Sequence, residues 1–153
     1  MATRRDPRHR AREAALQILY QWEIGRTDVA SAADTYFDLQ WADATPPAGE
    51  FRAFATELAH DTVRRLPEVD ALIAETAERW RPERMAVLDR LVLRMAITEL
   101  LGRSETPPAV VINEALELAR TFSTEEAVKF INGMLDAIRR KIDPAPRTGR
   151  NGA

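Results

Sequence analysis

Apolar side chains recur every three or four residues along nearly the whole chain, and no stretch alternates with a sustained period of two. Spacing of this kind places apolar side chains on one face of an α-helix, whereas a half-buried strand requires alternation. The pattern predicts an all-α fold of about seven helices, with no internal repeat. The helices are predicted near residues 7–24, 28–41, 50–66, 67–80 and 82–102, then from just after Pro107-Pro108 to about 122, and finally at 123–142.

Local signals mark several helix ends. Gly25 follows the first apolar stripe, where a C-terminal cap is expected. Asp28 is the predicted N-cap of the second helix, and Pro67 suits the first turn of the fourth. Residues 123–126, Ser-Thr-Glu-Glu, match a capping box at the start of the seventh helix. The fifth helix is apolar around most of its circumference, which predicts a central, buried position.

The seventh segment contains Asn132-Gly133, a dipeptide that favours a turn. The apolar stripe nevertheless continues in phase from Ile131 through Met134 to Ile138. We therefore predict an uninterrupted helix that carries Gly133 at a cost of roughly 1 kcal/mol relative to Ala. Two explanations for a glycine at this position are that a neighbouring helix approaches closely or that a ligand needs room there.

Composition narrows the class of protein. A chain of 153 residues, 45% of them hydrophobic, suits one domain with its own core. The absence of Cys excludes disulfides, thiol catalysis and zinc–thiolate sites, and fits a cytoplasmic location. No apolar run is long enough to predict a membrane span or a secretory signal. We expect a flexible basic arm at 1–7, one all-helical domain at 8–142 and a disordered tail at 143–153.

The formal net charge of −2 conceals an uneven distribution. Residues 1–12 carry +4, residues 13–138 carry −10 and residues 139–153 carry +4. Basic ends on an acidic body are typical of proteins that contact polyanions. They are also typical of tails that only maintain solubility, and charge alone does not separate the two interpretations.

Catalytic motifs are not found in the sequence. It has no Gly-rich phosphate loop, no paired-His spacing and no nucleophile elbow around its serines. His9 and His60 are far apart in the sequence, and both are expected at the surface. An enzyme is therefore disfavoured, and neither a metal nor a cofactor is predicted.

A more suggestive group lies on the seventh helix. Phe130 is about one residue out of phase with the core stripe, so it should lie at the border between the core and the polar face, above Gly133. Lys129 and Asn132 flank it. A ring, a cation and an amide are what proteins use to stack single-stranded RNA bases, hold phosphates and bind base edges. The alternative is that Phe130 only covers the rim of the core.

Four motifs give the chain a family resemblance. They are RAREAALQILYQWE at 10–23, LDRLVLRMAITEL at 88–100, VINEALELAR at 111–120 and KFINGMLD at 129–136. In these motifs, their order and their spacing, the chain resembles the NusB family of bacterial transcription antitermination factors over about residues 8–141. The stretch at 130–136 is the most specific. Residues 26–66 match only in helical character, and no site is taken from them.

The resemblance implies an all-helical fold of two packed helical subdomains without bond-making chemistry. It implies binding of boxA-type single-stranded RNA together with NusE, a small-subunit ribosomal protein. It also implies entry into an RNA polymerase antitermination complex that supports ribosomal RNA transcription. The alternative function is a helical protein-interaction domain with no RNA specificity of its own.

Individual residues take expected roles from the resemblance. The RNA-binding positions are Arg4, Arg5, Arg8, His9, Arg10, Arg12, Lys129, Phe130 and Asn132. Glu126 stands where relatives often have Asp, close to the RNA face, and its carboxylate should repel phosphate. Tyr20, Glu83 and Asp89 match the surface that faces NusE.

One position departs from the family pattern. Pro108-Ala109 stands where some relatives carry an aromatic residue and a Lys. The departure removes a possible RNA contact and leaves open whether RNA binding requires NusE.

A homodimer is also left open, because an apolar flank of the first helix would allow packing against a second copy.

Overall fold

A computed structural model of the protein describes residues 7–40, 49–77, 85–102 and 105–142. Three of the predicted site residues, Arg4, Arg5 and Glu83, lie outside these ranges, as does the predicted tail at 143–153. Most of the predicted flexible arm at 1–7 also lies outside them, and Pro7 is the first residue of a helix.

The described residues form seven α-helices and no strand, which confirms the all-α prediction. The helices are α1 Pro7–Gly25, α2 Val29–Gln40, α3 Gly49–Arg64, α4 Leu66–Thr76, α5 Val87–Gly102, α6 Pro108–Phe122 and α7 Glu125–Ile142. None of these helices is both long and apolar enough to cross a membrane.

The turn between α1 and α2 shows one correct and one wrong cap prediction. Asp28 is the N-cap of α2, because its Oδ1 accepts a hydrogen bond from the Ser31 backbone N–H at 2.9 Å. Gly25, in contrast, still belongs to α1, and Arg26 adopts the left-handed conformation with φ 55°. The glycine that was expected to follow the helix is therefore its last residue, and Arg26 takes the left-handed position after it.

The helix starts in the second half of the chain also differ from prediction. Thr124 caps α7, since its Oγ1 accepts a hydrogen bond from the Ala127 N–H at 3.0 Å. The capping box predicted to begin at Ser123 is thus wrong by one residue. α5 begins at Val87 rather than near residue 82, because Met85 and the residue after it are not helical.

The chain divides into two units, Met1–Leu66 and Pro67–Ala153. In the first unit α1 packs against α2 and α3, and α2 packs against α3. Both α1 and α3 place alanines one turn apart in the core, Ala11 and Ala15 on α1 and Ala55 and Ala59 on α3, all fully buried. Small side chains at such positions let two helix axes approach closely.

In the second unit α5 packs against α6 and α7, which also pack against each other. Residues 91–99 of α5 are all buried, which confirms its predicted central position. A two-pronged ion pair fixes α4 to α5: Nε and Nη2 of Arg94 donate to Oδ1 and Oδ2 of Asp70, both at 2.9 Å. A paired carboxylate and guanidinium of this geometry restrict both distance and angle.

Candidate nucleic-acid interface

The first candidate surface, the α1 start, consists of Arg8, His9, Arg10 and Arg12 in the first unit. Arg8 and Arg10 are exposed, whereas His9 and Arg12 are only 4% exposed. The surface location expected for His9 is therefore wrong. Its Nε2 lies 3.3 Å from Oε2 of Glu13, one helical turn further on. The reason is helical phase, because residues 9 and 12 continue the spacing of the buried leucines at 16 and 19.

Aromatic rings of α3 lie beside these arginines. The Cζ atoms of Arg8 and Arg12 are 4.4 Å and 5.2 Å from the centroid of the Phe54 ring. The Cζ of Arg10 is 5.8 Å from the centroid of Phe51. These distances lie within the range of cation–π attraction. The sequence prediction missed both phenylalanines, since it took no site from residues 26–66.

The second candidate surface, the α7 face, consists of Glu126, Lys129, Phe130, Asn132 and Gly133 in the second unit. The opposite side of α7 is buried, through Ala127, Val128, Ile131, Met134, Leu135 and Ile138. On the α7 face Phe130 is half-buried and the other four residues are exposed. The border position predicted for Phe130 from helical phase is confirmed.

Gly133 lies inside an uninterrupted α7, as the apolar phase predicts. A Cβ atom built on Gly133 would meet nothing within 4 Å among the described residues. Close approach of a neighbouring helix therefore does not explain this glycine in the part of the chain that the structure describes. The helix backbone is bare at this point, one turn after Lys129 and Phe130.

The residues expected to face NusE are placed as follows. Tyr20 of α1 is 41% exposed, and Ile24, one turn later, is also exposed. Asp89 of α5 is half-buried, and its Oδ1 accepts a hydrogen bond from Ser123 Oγ at 2.5 Å. Tyr20 belongs to the first unit and Asp89 to the second.

Two other sets of residues noted in the sequence lie at the start of α6 and in the last turn of α7. Pro108 and Ala109 are exposed in the first turn of α6. In the last turn of α7, Arg140 donates to Asp136 Oδ2 at 2.7 Å, and Lys141 donates to Thr76 Oγ1 at 3.0 Å. Cations at a helix C-terminus are also favoured by the helix dipole, so this cluster has a structural explanation.

Among the described residues no group of three His, Asp or Glu side chains is placed to hold a metal ion. The fold and the two surfaces define an all-helical protein that offers arginines at one helix start and a lysine, a ring and an amide on another helix. A sequence model of the NusB family matches residues 9–140. The chain belongs to the NusB family.

Individual proteins and solved structures that resemble this chain also belong to the NusB family. The chain is 48% identical to the transcription antitermination protein NusB of Solibacter usitatus, with 91% of this chain and 92% of that protein covered. A solved structure of T. maritima NusB has a TM-score of 0.81 and 31% identity, covering 93% of this chain and 96% of the other. A structure of antitermination factors NusB and NusE with dsRNA has a TM-score of 0.79, covering 88% and 97%. At 24% identity it shows likeness of fold.

Proposed function

We propose that the protein is a transcription antitermination factor that binds boxA-type single-stranded RNA together with NusE. It then joins the RNA polymerase antitermination complex and supports ribosomal RNA transcription. Family membership and the names of the relatives support the antitermination role. The solved neighbour that combines NusB and NusE with dsRNA supports NusE and RNA as partners, and the single-stranded form of the RNA is taken from the α7 face.

The α7 face is the observation that carries the proposal. Lys129 and Asn132 are exposed, and the bare backbone of Gly133 leaves room beside the half-buried Phe130. In our proposal a base stacks against the Phe130 ring, the Lys129 ammonium holds a phosphate, and the Asn132 amide bonds a base edge. No catalytic step is needed for any of these contacts.

The α1 start contributes phosphate contacts. Arg8 and Arg10 are exposed and are proposed to bind phosphates directly, with Arg4 and Arg5 extending the positive charge. Arg12 is buried beside Phe54, so we assign it a supporting role beneath the exposed arginines. His9 is buried beside Glu13 and receives the same kind of role.

Glu126 is proposed to weaken RNA binding. It is exposed in the first turn of α7, one turn before Phe130. Its carboxylate repels a phosphate held by the α7 face, while it interacts favourably with the helix N-terminus. The residue therefore stabilises the helix at a cost in RNA affinity.

We assign NusE contacts to Tyr20 in the first unit and, separately, to acidic residues in the second. Tyr20 offers an exposed aromatic ring, which is a residue type enriched in interfaces. Asp89 and Glu83 offer negative charge to a basic ribosomal protein. Complementarity of this kind acts mostly on association rate and specificity.

Binding of RNA with NusE present tests the proposal. A boxA oligonucleotide, a scrambled single strand of the same composition and a duplex of the boxA sequence are compared at two salt concentrations. We expect the single-stranded boxA oligonucleotide to bind most tightly, and its affinity to fall as salt rises because counterions are released. Equal affinity for the boxA and scrambled strands would instead support a helical interaction domain without RNA specificity.

A further inference from the structure

Two rings on α3 lie against the arginines of the α1 start. Arg8 and Arg12 share the Phe54 ring, with Cζ-to-centroid distances of 4.4 Å and 5.2 Å. Arg10 lies 5.8 Å from the Phe51 ring. We propose that Phe54, assisted by Phe51, is a positioning residue that holds the α1 arginines in place for phosphate binding. The inference rests on the RNA-binding function proposed above.

The packing of α1 on α3 makes this arrangement possible. The two helices pack against each other and each buries small alanines, so longer side chains from one helix can reach the other. Arg8 and Arg12 are four residues apart and lie on the same side of α1. Phe51 and Phe54 are three residues apart and are also neighbours on their helix. Both rings are therefore within reach of the helix start.

Electrostatics explains why rings are useful here. Several guanidinium groups at a helix N-terminus repel one another, and the helix dipole is unfavourable to positive charge at that end. The first turn of α1 contains no acidic residue. An aromatic ring attracts a guanidinium through its quadrupole but has no net charge, so it orients the cation without cancelling its charge. The orienting contact therefore preserves the attraction for phosphate.

The exposure of the arginines fits a division of roles. Arg12 is buried beside Phe54, whereas Arg8 contacts the same ring and remains exposed. The ring thus links a buried guanidinium to an exposed one. An exposed arginine that is already ordered loses less conformational entropy when it binds a phosphate.

A matched control lies in the same unit. Phe37 is 5% exposed and Phe54 is 7% exposed, and each ring has a guanidinium above it. The cation above Phe37 is Arg52 of α3, at 4.8 Å, and Arg52 is not part of the α1 start. Phe37→Leu therefore removes a ring of similar burial while the Phe54 ring stays in place. The Phe37 ring also packs edge-on against Phe51, with 6.3 Å between centroids, so this control isolates the contribution of Phe54 and not that of Phe51.

The test measures affinity for a boxA oligonucleotide with NusE present, per folded molecule, for the full-length protein. We expect Phe54→Leu to weaken binding about threefold to tenfold, on the scale of cation–π contacts. Phe37→Leu should stay within about twofold of wild type, and Phe54→Tyr should retain affinity because it keeps the ring. Combining Phe54→Leu with Arg8→Gln should weaken binding by less than the product of the two single effects.

Two results would overturn the inference, and they differ from each other. If Arg8→Gln weakens binding but Phe54→Leu matches Phe37→Leu, Phe54 is only a core residue and the proposed RNA binding stands. If Arg8→Gln binds as wild type does, the proposed phosphate role of the α1 start fails together with this inference. Should Phe54→Leu unfold, Phe54→Met removes the ring with a longer, more flexible side chain that fills irregular core space, and it is judged by the same comparison.

Discussion

Ser123 donates a hydrogen bond from its Oγ to Oδ1 of Asp89 at 2.5 Å. The bond joins the first turn of α5 to the turn that precedes α7. A carboxylate proposed to face NusE is thereby connected to the start of the helix proposed to bind RNA. Ser123 also ends α6, since its backbone N–H donates to the Ala119 carbonyl oxygen, and the next residue, Thr124, caps α7.

Removal of this bond should destabilise the second unit. We expect Ser123→Ala to lower the free energy of unfolding by about 1.5 kcal/mol, the low end of the range for hydrogen bonds to charged groups, because the bond is only partly buried. Urea denaturation measures the change. Ser31→Ala is the matched control, since the Ser31 Oγ bonds Asp28 at an exposed site and should contribute less. Equal losses from the two variants would show that the bond to Asp89 has no special weight.

Gly133→Ala should separate stability from RNA binding. An added Cβ meets no described neighbour and relieves the poor helix propensity of glycine, so the variant should be more stable by about 1 kcal/mol. RNA affinity should fall, because the same Cβ occupies space beside Phe130 that we assign to RNA. Thermal denaturation and RNA titration of the same preparation measure the two effects.

Gly49→Ala is the control for this substitution. Gly49 also has open space around its Cβ position, and it lies in the first turn of α3 rather than on the α7 face. It should leave RNA affinity unchanged. If Gly133→Ala binds RNA as tightly as wild type, the bare backbone has no role in binding.

Glu126→Asn should tighten RNA binding. Loss of the carboxylate removes repulsion of a nearby phosphate, and an exposed charge pair of this kind corresponds to roughly 0.5–1 kcal/mol, or about twofold to fivefold in affinity. Glu125→Asn is the control, because Glu125 is exposed in the same turn and loses the same interaction with the helix dipole. Affinity equal to or below that of wild type for Glu126→Asn would refute the assigned role.

The Asp28 cap should make stability depend on pH at the acid end. Hydrogen bonds from Ser31, chiefly from its backbone N–H, hold the pKa of Asp28 below its ordinary value of 3.8. The folded state therefore binds the proton more weakly than the unfolded chain. The contribution of the cap is present above about pH 4 and is lost as the pH falls through the folded-state pKa.

Asp28→Ala tests this linkage. The difference in urea midpoint between wild type and variant should be largest near neutral pH and should shrink below about pH 4. Asp38→Ala, an exposed carboxylate on the same helix, serves as the control. A difference for Asp28→Ala that stays constant across this range would mean that the charge of the cap does not matter.

The features that depend on helical phase could be predicted from the sequence. The continuity of α7 through Gly133, the burial of α5 and the border position of Phe130 all follow from where apolar residues recur. The exact ends of helices are harder to predict from the sequence, because two neighbouring residues can both serve as the cap. Ser123 and Thr124 are both good caps. In the structure Ser123 ends α6 through its backbone N–H and bonds Asp89 with its hydroxyl, and Thr124 caps α7.

The contacts between the α1 arginines and the α3 rings could not be predicted from the sequence, because they depend on how the two helices are aligned. An Arg at positions 8 and 12 and a Phe at 51 and 54 are visible in the sequence. Their pairing depends on how far α1 slides along α3, and the spacing within each helix does not contain that information. The burial of His9 is a different case, because its helical phase is readable in the sequence but its polar side chain favours a surface position.

The most direct test of the central claim is the RNA affinity of Phe130→Ala, measured per folded molecule beside its free energy of unfolding. If a base stacks on the ring, affinity for a boxA oligonucleotide should fall by roughly 1–3 kcal/mol, or about 5-fold to 150-fold. If the half-buried ring only covers the core rim, stability falls while affinity per folded molecule stays the same. The second result would contradict the proposal that the α7 face binds RNA bases.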